Sequence, residues 1–187
     1  MMNKPLKEEY AIVLDFLPNG YPFDTRPGHK KTPVAQAIGK EHFTLLELVP
    51  KKGQFLKTHQ EVYMGEKKRE EIHHILGKIP LDKLTQTARF ELEHVIKELV
   101  KNHEQKFIYF FNTAVPINTR RHQIELLPGI GNKHMWEIIE KRQEKPFASF
   151  KDIKERVKLI PDPEMIVIKR ILLELQETDK YRLFVGN

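Results

Sequence analysis

The chain has 187 residues, 40% hydrophobic and 31% charged, with no cysteine and a formal net charge of +6. That length fits one large domain or two small ones, and the apolar content is enough for a buried core. Disulfides, thiol catalysis and cysteine-ligated metal centres are excluded, while the basic excess points toward a polyanionic partner.

The first part reads as strands and turns. Tyr10–Phe16 is an aromatic and β-branched run closed by Pro18-Asn19-Gly20. In it Tyr10, Ile12, Leu14 and Phe16 alternate onto one face, so Tyr10 and Phe16 are expected in the core. A loop follows that combines Tyr21 and Phe23 with Arg26, His29, Lys30 and Lys31. Further strands are expected over Val34–Ile38, Phe43–Val49 and Gln60–Met64, with Lys51, Lys52, Lys57 and His59 in the turns between them. Short strands at this spacing suggest a small barrel.

The texture then turns helical. Lys67–Leu76 reads as a helix ending at Gly77. A second helix starts near Thr87, with Leu92, Val95, Ile96 and Leu99 as one buried stripe. A third covers Glu104–Phe111, turning Phe107, Phe110 and Phe111 toward the core, and Pro116-Ile117-Asn118 breaks the chain. No apolar run approaches the ~20 residues that cross a bilayer. Met1–Pro5 leads into charged Lys7, Glu8 and Glu9 rather than the apolar segment of a signal peptide. The expectation is a soluble, cytoplasmic protein with no membrane association.

The most specific segment is Leu126-Leu127-Pro128-Gly129-Ile130-Gly131-Asn132-Lys133, between a short apolar helical stretch (His122–Leu126) and a helix over His134–Arg142. Two glycines around one apolar residue permit a tight turn in which Ile130 anchors the core. The open amides then converge at the positive end of the following helix. A phosphate fits there, with Lys133 in reach. Arg120 and Arg121 lie just upstream and could touch the adjoining backbone. A structural turn joining two packed helices is the competing reading; a dinucleotide fingerprint is disfavoured, because no strand precedes the glycines and position 134 is His.

These residues resemble the helix-hairpin-helix family of nucleic-acid-binding modules. The likeness continues through Ile138–Arg142 and Lys145–Val157, which look like the connector and third helix of a tandem pair. Where a second glycine hairpin is then implied, the chain has Leu159-Ile160-Pro161-Asp162-Pro163-Glu164. Two prolines without N–H and two carboxylates make that hairpin degenerate as a phosphate binder, although Met165–Leu175 can still form its packing helix.

Over nearly the whole chain the β-rich start, the Phe107–Asn112 stretch and the block from Arg120-Arg121-His122 to Trp136 resemble an uncharacterised archaeal family of predicted RNA-binding proteins (domain of unknown function 655). The resemblance implies an α+β chain: a small OB/S1-like β-barrel over residues 1–66, a helical connector over 67–117, and an all-α tandem helix-hairpin-helix domain over 118–187. It carries no assigned catalytic activity.

Catalysis is not expected from the residues either. The Glu71…His74 and Glu91…His94 pairs, both placed on helices, have the spacing of carboxylate-bundle metal ligands. The helix carrying His74 would be too short for such a bundle, and no metal or cofactor is expected. Nor is there a phosphate loop or a Gly-x-Ser-x-Gly elbow. The function expected is non-catalytic binding of RNA, with DNA as the alternative polymer. The contacts would be Gly129, Ile130, Gly131, Asn132, Lys133, Arg120 and Arg121 on the helical side, and Tyr21, Phe23, Arg26, Lys30 and Lys31 on the barrel. Partners of this kind are ribosomal or RNA-processing components. The rival reading is a protein-interaction module, in which the hairpins and the Trp136 helix dock onto another protein of a ribonucleoprotein or DNA-processing complex.

Overall fold

A computed structural model describes residues 7–186. Two compact units divide the described residues: one runs through Val95 and takes in the segment from Phe184, and the other is Ile96–Leu183.

The first unit is built on a curled five-stranded antiparallel sheet, a half-barrel, in the order β4-β1-β2-β3-β5. The strands are β1 (Tyr10–Leu17), β2 (Val34–Gly39), β3 (Leu45–Pro50), β4 (Glu61–Tyr63) and β5 (Ile72–Lys78). The first four fall where alternation of apolar residues places them. β5 corrects the expected Lys67–Leu76 helix: Ile72 to Lys78 pairs with β3, so the sheet extends past residue 66. Its pairing skips Leu76 and His73, the positions of two bulges. A second correction concerns β1, where the register shifts between Val13 and Asp15. The extra residue lets neighbouring Val13 and Leu14 both be buried, together with Ala11. The face expected inside is broken: Tyr10 is 38% exposed and Phe16 only half-buried.

Ala11, Val13, Ala37, Leu48, Leu56 and Ile72 form the centre of this core. Among the polar residues buried with it, Gln36 and Glu8 are satisfied by hydrogen bonds. Gln36 on β2 donates to the Lys83 carbonyl at 3.0 Å and accepts from Thr85 N–H at 2.8 Å. Thr85 in turn donates to Asp15 at 2.6 Å, which fixes the approach to α1 (Gln86–Asn102). Glu8 accepts from the amides of Glu41, His42 and Thr44, closing the turn between β2 and β3.

α1 buries Leu92, Val95, Ile96 and Leu99, as the spacing predicts. In the second unit α2 (Glu104–Thr113) buries Phe107 and Phe111, while Phe110 stays half-buried. The part beyond residue 117 is not all-α. Pro116–Asn118 (β6) and Arg121–His122 (β7) form a small antiparallel hairpin where the sequence suggested only a break. A 3-10 turn (Gln123–Leu126) follows, then α3 (Asn132–Glu144), α4 (Phe150–Arg156) and α5 (Pro163–Leu175). One buried ion pair organises the end of this unit. Arg170 on α5 contacts Glu174 at 2.8 Å, and also donates to the carbonyls of Leu126 and Tyr181 and to Asp179. Among the described residues no helix is long and apolar enough to cross a membrane.

Candidate nucleic-acid interface

The approach to the Gly129–Gly131 loop is set by His122. Its Nδ1 accepts from Ile124 N–H at 3.1 Å, while Glu125 accepts from the His122 amide at 2.7 Å, a reciprocal cap on the 3-10 turn. An Nδ1 that accepts belongs to a neutral ring, and burial, with the Arg142 charge second, holds the His122 pKa below its usual value. Ile124, Leu126 and Leu127 are buried beneath the turn.

The loop then reverses at Gly129, whose φ of +79° lies in the left-handed region that glycine enters freely. Ile130 points inward, 7% exposed, and its amide donates to the Leu127 carbonyl at 3.1 Å. Gly131 occupies the N-cap of α3 without a side chain to cap it, and the first turn contains no acidic residue. Among the described residues the amides of Gly129, Gly131, Asn132 and Lys133 have no acceptor within the chain. A Cβ built on Gly131 would meet nothing within 4 Å apart from its chain neighbours, so there is room beside the N-cap. Lys133 is exposed beside them. The geometry can hold an anion by backbone amides, helix dipole and one cation.

The second loop, Val157–Asp162, makes a similar turn with one more residue before its N-cap, and its chemistry differs. Leu159 takes the left-handed position (φ +57°) and Ile160 is buried like Ile130. Here Asp162 caps α5, accepting from the amides of Glu164 and Met165, and Pro163 opens the helix without an N–H. That helix start is filled by the chain's own carboxylate. The two loops adjoin, since a Cβ on Gly129 would lie 3.5 Å from Pro161 Cγ.

Arg120 and Arg121 sit at the tip of the β6–β7 hairpin. Arg120 is exposed, its amide bonded to Asn118 at 2.8 Å. Arg121 lies 5.6 Å over the Tyr181 ring and helps hold the Asp179 carboxyl below its usual pKa, behind the Tyr181 amide and Arg170. Arg120 is the freer of the two.

On the sheet unit, Tyr21 is committed to the fold. Its hydroxyl bonds Glu47 and accepts from Gln36 at 3.1 Å, and burial pushes its pKa up to about 12. Phe23 stacks on it (centroids 4.9 Å apart, planes at 10°) and is 78% exposed. The pair makes a supported platform of the kind on which bases stack. Arg26 is clipped to Asp24 at 2.7 Å, a bond that takes the aspartate down to about 2. Lys30 is exposed and Lys31 half-buried. Of the turn lysines, Lys51 is bound to the Arg69 carbonyl.

Sequence reasoning missed Phe55, 68% exposed and edge-on to Phe16 at 5.0 Å. Its place two residues after Lys52-Gly53 was the available signal. It also missed a cavity of about 530 Å³ with Leu46, Met64 and Ile75 among its lining and Lys67, Arg69 and Lys78 beside them. The metal-ligand pairs separate: Glu71 and His74 lie at and on strand β5, not on a helix. Glu91 and His94 do share α1, 3.8 Å apart, with His59 2.5 Å from Glu91. Among the described residues no group of three or more such side chains is arranged to hold a metal.

Three comparisons bear on this chain. A family model described as "Protein of unknown function (DUF655)" matches residues 7–186. Uncharacterized protein MJ0038 of Methanocaldococcus jannaschii is 46% identical over 186 residues, 98% of this chain and 82% of that protein. The crystal structure of Af1531 from Archaeoglobus fulgidus, itself described by the same family model, superposes with a TM-score of 0.86 at 45% identity, covering 95% of this chain and 99% of that one.

Proposed function

Because the chain belongs to this DUF655 family, which carries no activity from which to argue, its role must be read from its own residues, and we propose that it binds nucleic acid without catalysis, RNA in preference to DNA. In this reading the half-barrel is an OB/S1-like module and the second unit a tandem helix-hairpin-helix with one working hairpin. The observation that carries it is the uncapped start of α3: Gly131 leaves open amides with room beside the N-cap while Asp162 closes the equivalent start of α5. A fold that caps one helix with a carboxylate and leaves its counterpart bare has reserved the second for an anion from outside. Backbone donors read phosphate, not sequence, so this site positions the polymer rather than selecting it. The Tyr21–Phe23 platform, with Arg26 and Lys30 in the same loop, supplies stacking for an unpaired base. Unpaired bases are more available in folded RNA than in duplex DNA, and this favours RNA. Partners in this reading are ribosomal or RNA-processing assemblies.

Titrating affinity for pooled structured RNA against salt tests it. Log affinity should fall linearly with log salt, the slope counting neutralised phosphates at roughly 0.7 per contact for single strands. Lys133→Glu should lower affinity roughly tenfold and reduce that slope by about one contact. An unchanged affinity would leave the hairpin a packing turn.

The 61% exposed Trp136 on α3 favours a second reading, docking onto a protein. Retention of a partner from nuclease-treated lysate, lost in Trp136→Ala but kept in Lys133→Glu, would support that reading over RNA.

A further inference from the structure

Leu159 combines two costs with no return inside the chain. It is 92% exposed, so it contributes nothing to the core, and its φ of +57° is a conformation that a leucine side chain opposes. The equivalent place in the neighbouring loop is taken by Gly129. The loop does not need Leu159 as an anchor, because Ile160 is buried beside it. Nor is Leu159 loosely held. Lys158 N–H donates to Glu137 at 2.9 Å, Lys154 donates to the Ile160 carbonyl at 2.6 Å, and Asp162 caps the next helix. The backbone is fixed on both sides and presents one apolar side chain outward.

We infer that Leu159 is a wedge that enters a base step next to the phosphate held by the Gly129–Gly131 loop, so that the ligand is an RNA stem weakened by a bulge, mismatch or frayed end. The inference rests on the nucleic-acid reading above. Adjacency supports it: Pro161, two residues on from Leu159, packs against Gly129, so wedge and phosphate cradle belong to neighbouring stretches of one backbone. Charge supports it as well. Lys158 and Lys133 are exposed near the two loops; of the facing acids, Asp162 is turned onto the α5 amides it caps and Glu137 onto the Lys158 amide, while Glu164 lies beyond them in the first turn of α5. A single leucine beside Lys158, with no other large exposed apolar side chain in its loop, suits a base step better than an apolar pocket on a protein. Apolar side chains inserted from the minor groove unstack the step they enter. In A-form RNA that groove is wide and shallow, so a short side chain on a rigid loop reaches the bases. A weakened step lowers the cost of unstacking, and that gives a phosphate-gripping protein a structural preference without base-specific hydrogen bonds.

The test uses the full chain and a short RNA stem-loop with one bulge, carrying a single 2-aminopurine walked through the stem positions. Binding of the wild type should raise fluorescence at one step beside the bulge. Leu159→Met should keep that rise. Leu159→Gly should lose it and bind about tenfold more weakly, with the salt slope unchanged and the unfolding midpoint equal or higher, because glycine accepts the left-handed backbone. If Leu159→Gly matches the wild type in fluorescence and affinity, the wedge is overturned while the phosphate site stands. If the wild type binds none of these stems at any salt, the wedge and the nucleic-acid reading fall together.

Discussion

The loops before α3 and α5 share a turn but differ in length, the N-cap following the left-handed residue by two positions at Gly131 and by three at Asp162. Each turns through a left-handed residue, buries an isoleucine and launches a helix of 13 residues. They differ at the cap: Gly131 offers no acceptor to α3, whereas Asp162 closes α5 with its own carboxylate. The comparison teaches that packing of the turn and capping of its helix separate cleanly here. Buried Ile130 and Ile160 fix both turns equally, so the open donors of the first loop are not required to make the turn. They are what remains when a helix start is left for something else to complete.

The strongest way to break the comparison is through Arg170, which ties the second loop's helix to the base of the first by donating to the Leu126 carbonyl at 3.1 Å. Arg170→Met would remove the cation paired with Glu174, 1% exposed, which keeps its hydrogen bond from the Leu183 amide. Removing one partner of a buried ion pair costs about 3–5 kcal/mol, so a fall of about that size in unfolding free energy by denaturant titration is expected. A change below ~1 kcal/mol would show that the pair contributes little.

A more discriminating change gives the first loop the second loop's cap. Gly131 has φ −94° and open space around its Cβ position, so Gly131→Asp fits without strain. The new carboxylate should cap α3 and stabilise the unit by about 0.5–1 kcal/mol. RNA affinity should fall at least tenfold, because the anion site would be filled and its sign reversed. Higher stability with weaker binding is the expected signature, read by thermal melting and fluorescence anisotropy. Stability and affinity that rise together would remove the anion site.

The smallest effect is a pH dependence confined to the first loop. Burial depresses the His122 pKa, so the unfolded ring takes up a proton before the folded one does. Stability from this group is complete above the unfolded pKa near 6.5 and declines as pH falls from there toward the lower folded value. His122→Gln should remove that acid step in a stability-versus-pH series; its persistence would assign the step elsewhere.

Much of the fold was legible from residue patterns. The stripe Leu92, Val95, Ile96 and Leu99 is buried as spaced, and β1 to β4 lie where apolar runs end in turn residues. What misled was irregular pairing. Ile72 and Ile75 are three apart, a helical spacing that a regular strand would split between its two faces. The skipped residue His73, between them, restores them to one side of β5, and only the partner strand β3 specifies that bulge. The extra residue in β1 moved Tyr10 outward in the same way. At the candidate site, the glycine turn was readable because Gly129-Ile130-Gly131 states a backbone requirement directly. The anchoring of the Tyr21 hydroxyl was not, since Gln36 and Glu47 meet it only once the sheet has formed.

The two bulges have a consequence for colloidal behaviour. β5 is an outer strand of the sheet, with one row of backbone groups available to another chain. A flat, regular outer strand invites a second copy to add on and propagate. Interrupting the row twice within seven residues, beside Lys78 and paired His73 and His74, leaves no straight ladder to template such growth, so this margin of the sheet resists self-association at high concentration.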